Sequence, residues 1–375
     1  MKIAVLKDTS GVEARVAATP ETVKGYVKAG HTVAVAKGAG AAANFSDADY
    51  KEAGASLSAS NTAAVKTADL VMSVTGGDAK LVAGMKKGAG ITGVLSPTDN
   101  PAYAKACAKA GVTAYALDYI PRISRAQSMD VLSSQSNLAG YRSVVEAGGI
   151  YGRAFPMMMT AAGTIAPAKV FIMGVGVAGL QAIATARRLG AVTTATDVRP
   201  ATKEQVASLG AKFIAVENEE FKAAETAGGY AKQMSPEYQK LQAELTASHV
   251  AKQDIVVTTA LIPGRAAPVL ITKKMIAAMK PGSVLVDLAV ERGGNVEGAK
   301  AGEIVTTKNG VHIVGHLNWP SRMAGDSSNM FARNLKNFLP LLCAEDGSYA
   351  PDWDDEIIQG CALTKDGAVV HERLK

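Results

Sequence analysis

The chain has 375 residues, 48% of them hydrophobic, 20% charged and 5% aromatic, with a formal net charge of +6. That length exceeds the roughly 250–300 residues at which one core stops growing, so two domains are expected, and so much apolar side chain excludes wholesale disorder. Scattered lysines with few aromatics argue against nucleic-acid binding, no apolar run of about 20 residues suggests a membrane span, and Cys107, Cys343 and Cys361 form no disulfide or zinc pattern.

The opening MKIAVLKDTS has too short an apolar run for a signal peptide, so a cytoplasmic location with reduced thiols is expected. Lys2–Leu6 reads as a strand, followed by a helix capped by Thr19, with Pro20 at its first position and Gly30 at its close. Further strands are predicted at His31–Ala36, Asp69–Val74, Ile91–Leu95 and Val112–Ala116, the last entered from a helix between Pro101 and Gly111. From Arg122 to Phe155 the pattern turns to a long helical connector with a break near Gly148 and Gly149. A second array has strands at Lys169–Met173, Val192–Thr196, Lys212–Val216, Asp254–Thr258 and Ser283–Asp287, with helices at Leu180–Leu189 and from Pro200. Ser328–Cys343 reads as one more helix and Leu363–Val370 as a hairpin turning at Asp366-Gly367. The fold class is α/β: two Rossmann-like domains with mostly parallel sheets, joined by long helices. The expected division puts residues 1–125 and 312–375 in an N-terminal, flavodoxin-like domain completed by the C-terminal tail, and residues 126–311 in a nucleotide-binding one.

The strand AKVFIMG runs into Gly174-Val175-Gly176-Val177-Ala178-Gly179 and then a helix, the context that gives a GxGxxG its meaning. Gly174 permits the tight turn, Gly176 lets backbone N–H groups approach a pyrophosphate, and Gly179 allows close packing of helix on strand. Asp197 ends the next strand, where a carboxylate accepts the ribose hydroxyls of an adenosine. NAD is therefore favoured, and a 2′-phosphate would meet a negative charge that Arg199 only partly offsets.

PRISRAQSMDVLSSQSNLAGYR from Pro121 to Arg142, Ala161-Ala162-Gly163, AGGYAK from Ala227 to Lys232, TTALIPG from Thr258 to Gly264 and MKPGSVLVDLA from Met279 to Ala289 carry a likeness over essentially the whole chain. In these segments it closely resembles the NAD(H)-binding component of the proton-translocating nicotinamide nucleotide transhydrogenases, within a superfamily that includes alanine dehydrogenase. The latter looks similar around GVEARVAATPETV and LIPG; the PRISRAQSMD run separates the two. The resemblance implies a nicotinamide-side group of Arg122, Gln127, Asp130 and Ser133 that acts in catalysis, and a wider cofactor-binding set with Ser124, Gly174, Gly176, Val177, Ala178, Gly179, Asp197, Val198, Arg199, Gly229, Tyr230 and Leu261. Gly229 and Tyr230 match the loop that closes over the nucleotide. It also implies NADH as cofactor, NADP(H) on a partner component, a membrane subunit that translocates protons, a homodimer, and peripheral attachment on the inner side of the cell membrane through those partners. A chain that ends soon after Gly315 and has no span of its own looks like the split form of such an enzyme.

Spacing agrees with these roles if the segment is helical: Asp130 and Ser133, three apart, then share a face able to hold a carboxamide, with Gln127 one turn earlier and Arg122 free to contact a phosphate or fix Asp130. A dehydrogenase acting on an amino or hydroxy acid also moves a proton and needs a base. Alanine dehydrogenase-like enzymes place a lysine and a histidine at two strand ends, where this chain has Ser73 and Ser96. Hydride exchange between two nicotinamides needs no base and reduces catalysis to positioning. His31, His249 and His371 read as structural or surface residues, and His312 and His316 receive no role. The alternatives are a soluble NAD-dependent amino-acid dehydrogenase of the alanine dehydrogenase type, and a non-catalytic NAD-sensing module.

Overall fold

A parallel sheet is covered on both faces, and its strands must supply apolar side chains to each. The computed structural model, which describes residues 1–223, 234–261 and 265–374, contains two such sheets in two units: residues 1–135 with 320–375, and residues 136–319. In the first, β1 (Lys2–Val5), β2 (Thr32–Ala36), β3 (Ser56–Ser58), β4 (Leu70–Met72), β5 (Gly90–Gly93) and β6 (Thr113–Ala116) pair in parallel in the order β3-β2-β1-β4-β5-β6. Successive side chains point to opposite faces: Ile3 and Val5 enter one core with Tyr26, Phe331 and Phe338, while Ala4 and Leu6 enter another with Ile91 and Leu95. The tail closes the edge beyond β6. Leu363 N–H donates to Ala114 O at 2.8 Å, and Thr364 Oγ1 accepts from Ala114 N–H at 2.9 Å and donates to Val112 O at 2.8 Å.

Two expectations change here. The order is that of the Rossmann fold, not the flavodoxin-like one, because the unforeseen β3 adds at the edge; without it the other five strands would read 2-1-3-4-5. The division falls after Gln135 and after Trp319 instead of at 125 and 311. Ala126, Met129 and Val131 are buried in the first unit's core, and the strand at His312 belongs to the second sheet.

The second unit has a hairpin of β7 (Met158–Thr160) and β8 (Gly163–Ile165), and a sheet of β9 (Lys169–Met173), β10 (Val192–Thr196), β11 (Lys212–Phe213), β12 (Ile255–Thr258), β13 (Val284–Asp287), β14 (Ile304–Thr306) and β15 (His312–Val314). The sheet order is β11-β10-β9-β12-β13-β15-β14, parallel except for the edge strand β14. Val170 and Ile172 face one core, Phe171 and Met173 the other. The helix Val131–Ile150 runs unbroken through Gly148 and Gly149. Each glycine costs about 1 kcal/mol in propensity, but a Cβ on Gly148 would lie 3.1 Å from the Phe155 ring, so this packing favours the small residue and outweighs propensity. The described residues contain no helix long and apolar enough to cross a membrane.

Candidate functional site

Strand order in the second unit reverses between β9 and β12, and in an open α/β sheet ligands bind outside the carboxyl ends of the strands at that point. The glycine motif lies there. Gly174 has φ +100°, and a Cβ on it would sit 2.6 Å from Thr259 Oγ1; on Gly179 it would lie 1.9 Å from the Gly174 carbonyl oxygen. Both positions require glycine for the protein's own packing. Gly176 differs, because a Cβ there would meet nothing within 4 Å. Its side faces open space at the start of the helix Val177–Arg188, where exposed Val177 and half-buried Ala178 begin the first turn. The N–H groups of such a turn have no partner within the helix and suit a pyrophosphate.

Asp197 follows β10 and is tied back to this loop: Val175 N–H donates to its Oδ2 at 2.7 Å. Arg199 fills the remaining positions. Its backbone N–H and Nε donate to Oδ1 at 2.9 and 2.8 Å, and its terminal nitrogen donates to Oδ2 at 2.9 Å. Four donors saturate the lone pairs of a carboxylate. Ribose hydroxyls reach Asp197 by displacing Arg199, whose side chain is 35% exposed and free to swing toward solvent. The residues present thus fit an adenosine dinucleotide, with one ion pair to open. Val198 between them is exposed.

The nicotinamide-side candidates lie in the first unit, and they are not on one helix. Ser124–Met129 is a 3₁₀ turn, Asp130 is extended, and the α-helix starts at Val131. Asp130 caps that helix: its Oδ1 accepts from Ser133 N–H at 2.9 Å and its Oδ2 from Ser133 Oγ at 2.5 Å. Ser133 has therefore given its only hydroxyl proton to Asp130 and offers a ligand lone pairs alone, while Asp130 keeps accepting capacity for an amide N–H. Arg122, Ser124 and Gln127 are exposed, and neither Arg122 nor Gln127 has a side-chain hydrogen bond among the described residues.

Residues that belong to no recognisable motif hold this segment in place. The Ser128 carbonyl accepts from Asn334 Nδ2 at 2.8 Å and from Asn337 Nδ2 at 3.1 Å, and Asn334 Oδ1 accepts from Ser134 Oγ at 2.7 Å. Arg125 donates twice to Asp355, at 2.7 and 2.8 Å, and this pairing raises its pKa above the ordinary value for arginine. Gly229 and Tyr230 lie outside the described residues. The residues on either side of that stretch are linked, since Ser235 Oγ donates to Glu220 Oε2 at 2.7 Å. Leu261 is half-exposed just after Thr259, whose hydroxyl donates to the Gly174 carbonyl at 3.0 Å.

The family model "Alanine dehydrogenase/PNT, N-terminal domain" matches residues 4–139, and "Alanine dehydrogenase/PNT, C-terminal domain" matches residues 143–372. The first of the polypeptides that make up the alpha subunit of NAD(P) transhydrogenase in Rhodospirillum rubrum is 53% identical over 100% of this chain and 99% of its own length. The chain belongs to the alanine dehydrogenase/PNT family. Within that family its likeness is strongest on the transhydrogenase side. A solved transhydrogenase from Sinorhizobium meliloti matches with TM-score 0.89 and 51% identity, over 99% of this chain and 100% of that one. An alanine dehydrogenase from Halomonas elongata is 32% identical over 80% of this chain and 75% of its own. For an alanine dehydrogenase/PNT chain the glycine loop and Asp197 are the local code for nucleotide binding, and the transhydrogenase alpha-subunit relatives make this a component of the same kind.

Proposed function

We propose that this chain is the NAD(H)-binding component of a proton-translocating transhydrogenase, passing hydride between NADH and NADP⁺ held by a partner component. The observation that carries this is the 53% identity to the Rhodospirillum rubrum NAD(P) transhydrogenase alpha polypeptide along the whole chain, against 32% over 80% of it for alanine dehydrogenase. On this reading it is active only with its partners, a membrane subunit couples transfer to proton movement, and attachment to the inner face of the cell membrane runs through them. The NADP(H)-binding component supplies the second nicotinamide.

Bound at the β9/β12 crevice, the dinucleotide supplies the hydride and its electron pair. Gly176 and the first turn of the Val177–Arg188 helix hold the pyrophosphate, and Asp197 takes the adenosine ribose once Arg199 yields. Asp130 and Ser133 receive the carboxamide N–H groups, and Gln127 and Arg122 steady the ring and its phosphate. No residue has to remove a proton, which agrees with Ser73 and Ser96 at the strand ends. Transfer tolerates little misplacement, about a hundredfold in rate for 1 Å, so the side chains act by orientation.

Titration of the purified chain with NADH and NADPH tests the reading. NADH is expected to bind and NADPH to bind much more weakly, and Asp197→Ala to weaken NADH by roughly one to two decades, the worth of charged hydrogen bonds. In the complex rebuilt with the NADP(H)-binding component, Gln127→Asn is expected to slow single-turnover transfer strongly while NADH affinity stays within a few-fold. Reduction of NAD⁺ by alanine with the chain alone would instead establish the amino-acid dehydrogenase.

A further inference from the structure

Asn295 belongs neither to the glycine loop nor to the nicotinamide-side group. It follows Gly293 and Gly294, whose φ values of +98° and +84° turn the backbone sharply after β13, and a Cβ on Gly294 would lie 2.7 Å from Asp287 Oδ2. The turn delivers Asn295 N–H to that carboxylate oxygen at 2.8 Å, and Val296 N–H to it at 3.0 Å. Asn295 is fully buried and every one of its polar groups is used. Its Oδ1 accepts from Ala260 N–H at 3.0 Å, and its Nδ2 donates to Ala260 O at 2.9 Å and Pro268 O at 2.8 Å. Its own carbonyl accepts from Leu270 and Ile271 N–H at 2.8 and 3.0 Å.

One side chain thus grips both polar groups of Ala260. Ala260 stands shortly after β12 beside the glycine turn, its nitrogen 3.3 Å from where a Cβ on Gly174 would be. The crevice at the β9/β12 switch has two halves. Asp197, at the end of β10, marks the β10 side as the adenosine half, which leaves the β12 side to the other mononucleotide. We infer that Asn295 is a positioning residue for the nicotinamide half of the nucleotide site, acting through the Ala260–Leu261 backbone, with Asp287 as its anchor. The inference rests on the NAD(H) reading above. It separates the two halves of the ligand, which a residue that merely holds the fold together does not.

The test compares NADH with ADP, which carries the adenosine half alone, on the full chain. Asn295→Asp keeps the side chain's shape but puts an oxygen where Nδ2 faces two carbonyl oxygens. It is expected to weaken NADH at least tenfold and ADP less than twofold. A parallel loss of both ligands, or no loss of either, would overturn the inference while leaving wild-type NADH binding, and hence the parent reading, intact. Failure of the unaltered chain to bind NADH would remove both. Should the variant not fold, hydrogen exchange on the wild-type chain decides: the Ala260–Leu261 amides are expected to slow with NADH and not with ADP, and equal slowing by both, or by neither, would refute the assignment.

Discussion

His249 stands edge-on to the Phe171 ring at 4.7 Å between centroids, with Thr194 Oγ1 2.9 Å and Gln253 Nε2 3.1 Å from its Nε2. Burial lowers its pKa from the ordinary 6.5, and Lys252, Lys212 and Lys169 push the same way. His31 and His371 are also lowered, each chiefly by burial. A depressed folded pKa means that the unfolded chain takes up the proton first, so the stability present above about pH 6.5 declines as pH falls from there toward the folded values, and then levels off. Melting temperature followed downward from about pH 8 should therefore fall below about pH 6.5. His249→Gln, which keeps a polar group toward Thr194 but cannot titrate, should give a shallower decline even if its melting temperature is lower at every pH. Equal slopes would mean that the pH dependence arises elsewhere.

Short elements carry the site, and their ends are where single side chains count most. Asp355 caps the helix Glu356–Cys361 through Ile357 N–H at 2.7 Å and also holds Arg125 in the 3₁₀ turn Ser124–Met129, and the partnership with Arg125 keeps its carboxyl below the ordinary carboxylate range. Asp355→Ala should cost about 1–2 kcal/mol in urea unfolding, most of it the cap, since the ion pair is largely exposed. Asp355→Asn, an equally good cap, should recover most of the loss. The glycine loop and Asp197 were legible because their code is local: turn, helix start and strand end lie within about two dozen residues. Gln127, Asp130 and Ser133 were legible as a group, but the assumption of one helix face failed because Asp130 bonds its own helix start. Asn334 lies 206 residues from the Ser128 carbonyl it serves, and Asn295 lies 35 from Ala260; no spacing rule spans such distances. Ser56–Ser58 was missed because Ser-Leu-Ser at a sheet edge lacks the apolar run of a buried strand.

At the scale of the molecule, both units use the Rossmann order, yet the second has a part that its own core leaves uncovered. The β7–β8 hairpin is exposed on all six strand residues, with Met157, Met158 and Met159 at 60%, 40% and 78% exposure. Two strands without a third, or a helix to lie on, are marginal in water. We propose that a second copy of the chain covers the hairpin, in keeping with the homodimer expected from the family resemblance. Met157→Lys with Met159→Lys should shift the chain toward monomer in sedimentation velocity, with little change in the melting midpoint measured at high dilution; an unchanged sedimentation coefficient would place the dimer contact elsewhere. Three adjacent thioethers at such a surface also make its chemistry depend on assembly. Peroxide converts an accessible thioether to a polar sulfoxide, and a covered one reacts more slowly. Dilution of the protein should therefore speed oxygen uptake at Met157–Met159 relative to buried Met72, and each sulfoxide formed, by making the hairpin polar, should hold the copies apart and leave the remaining sulfurs still more open to attack.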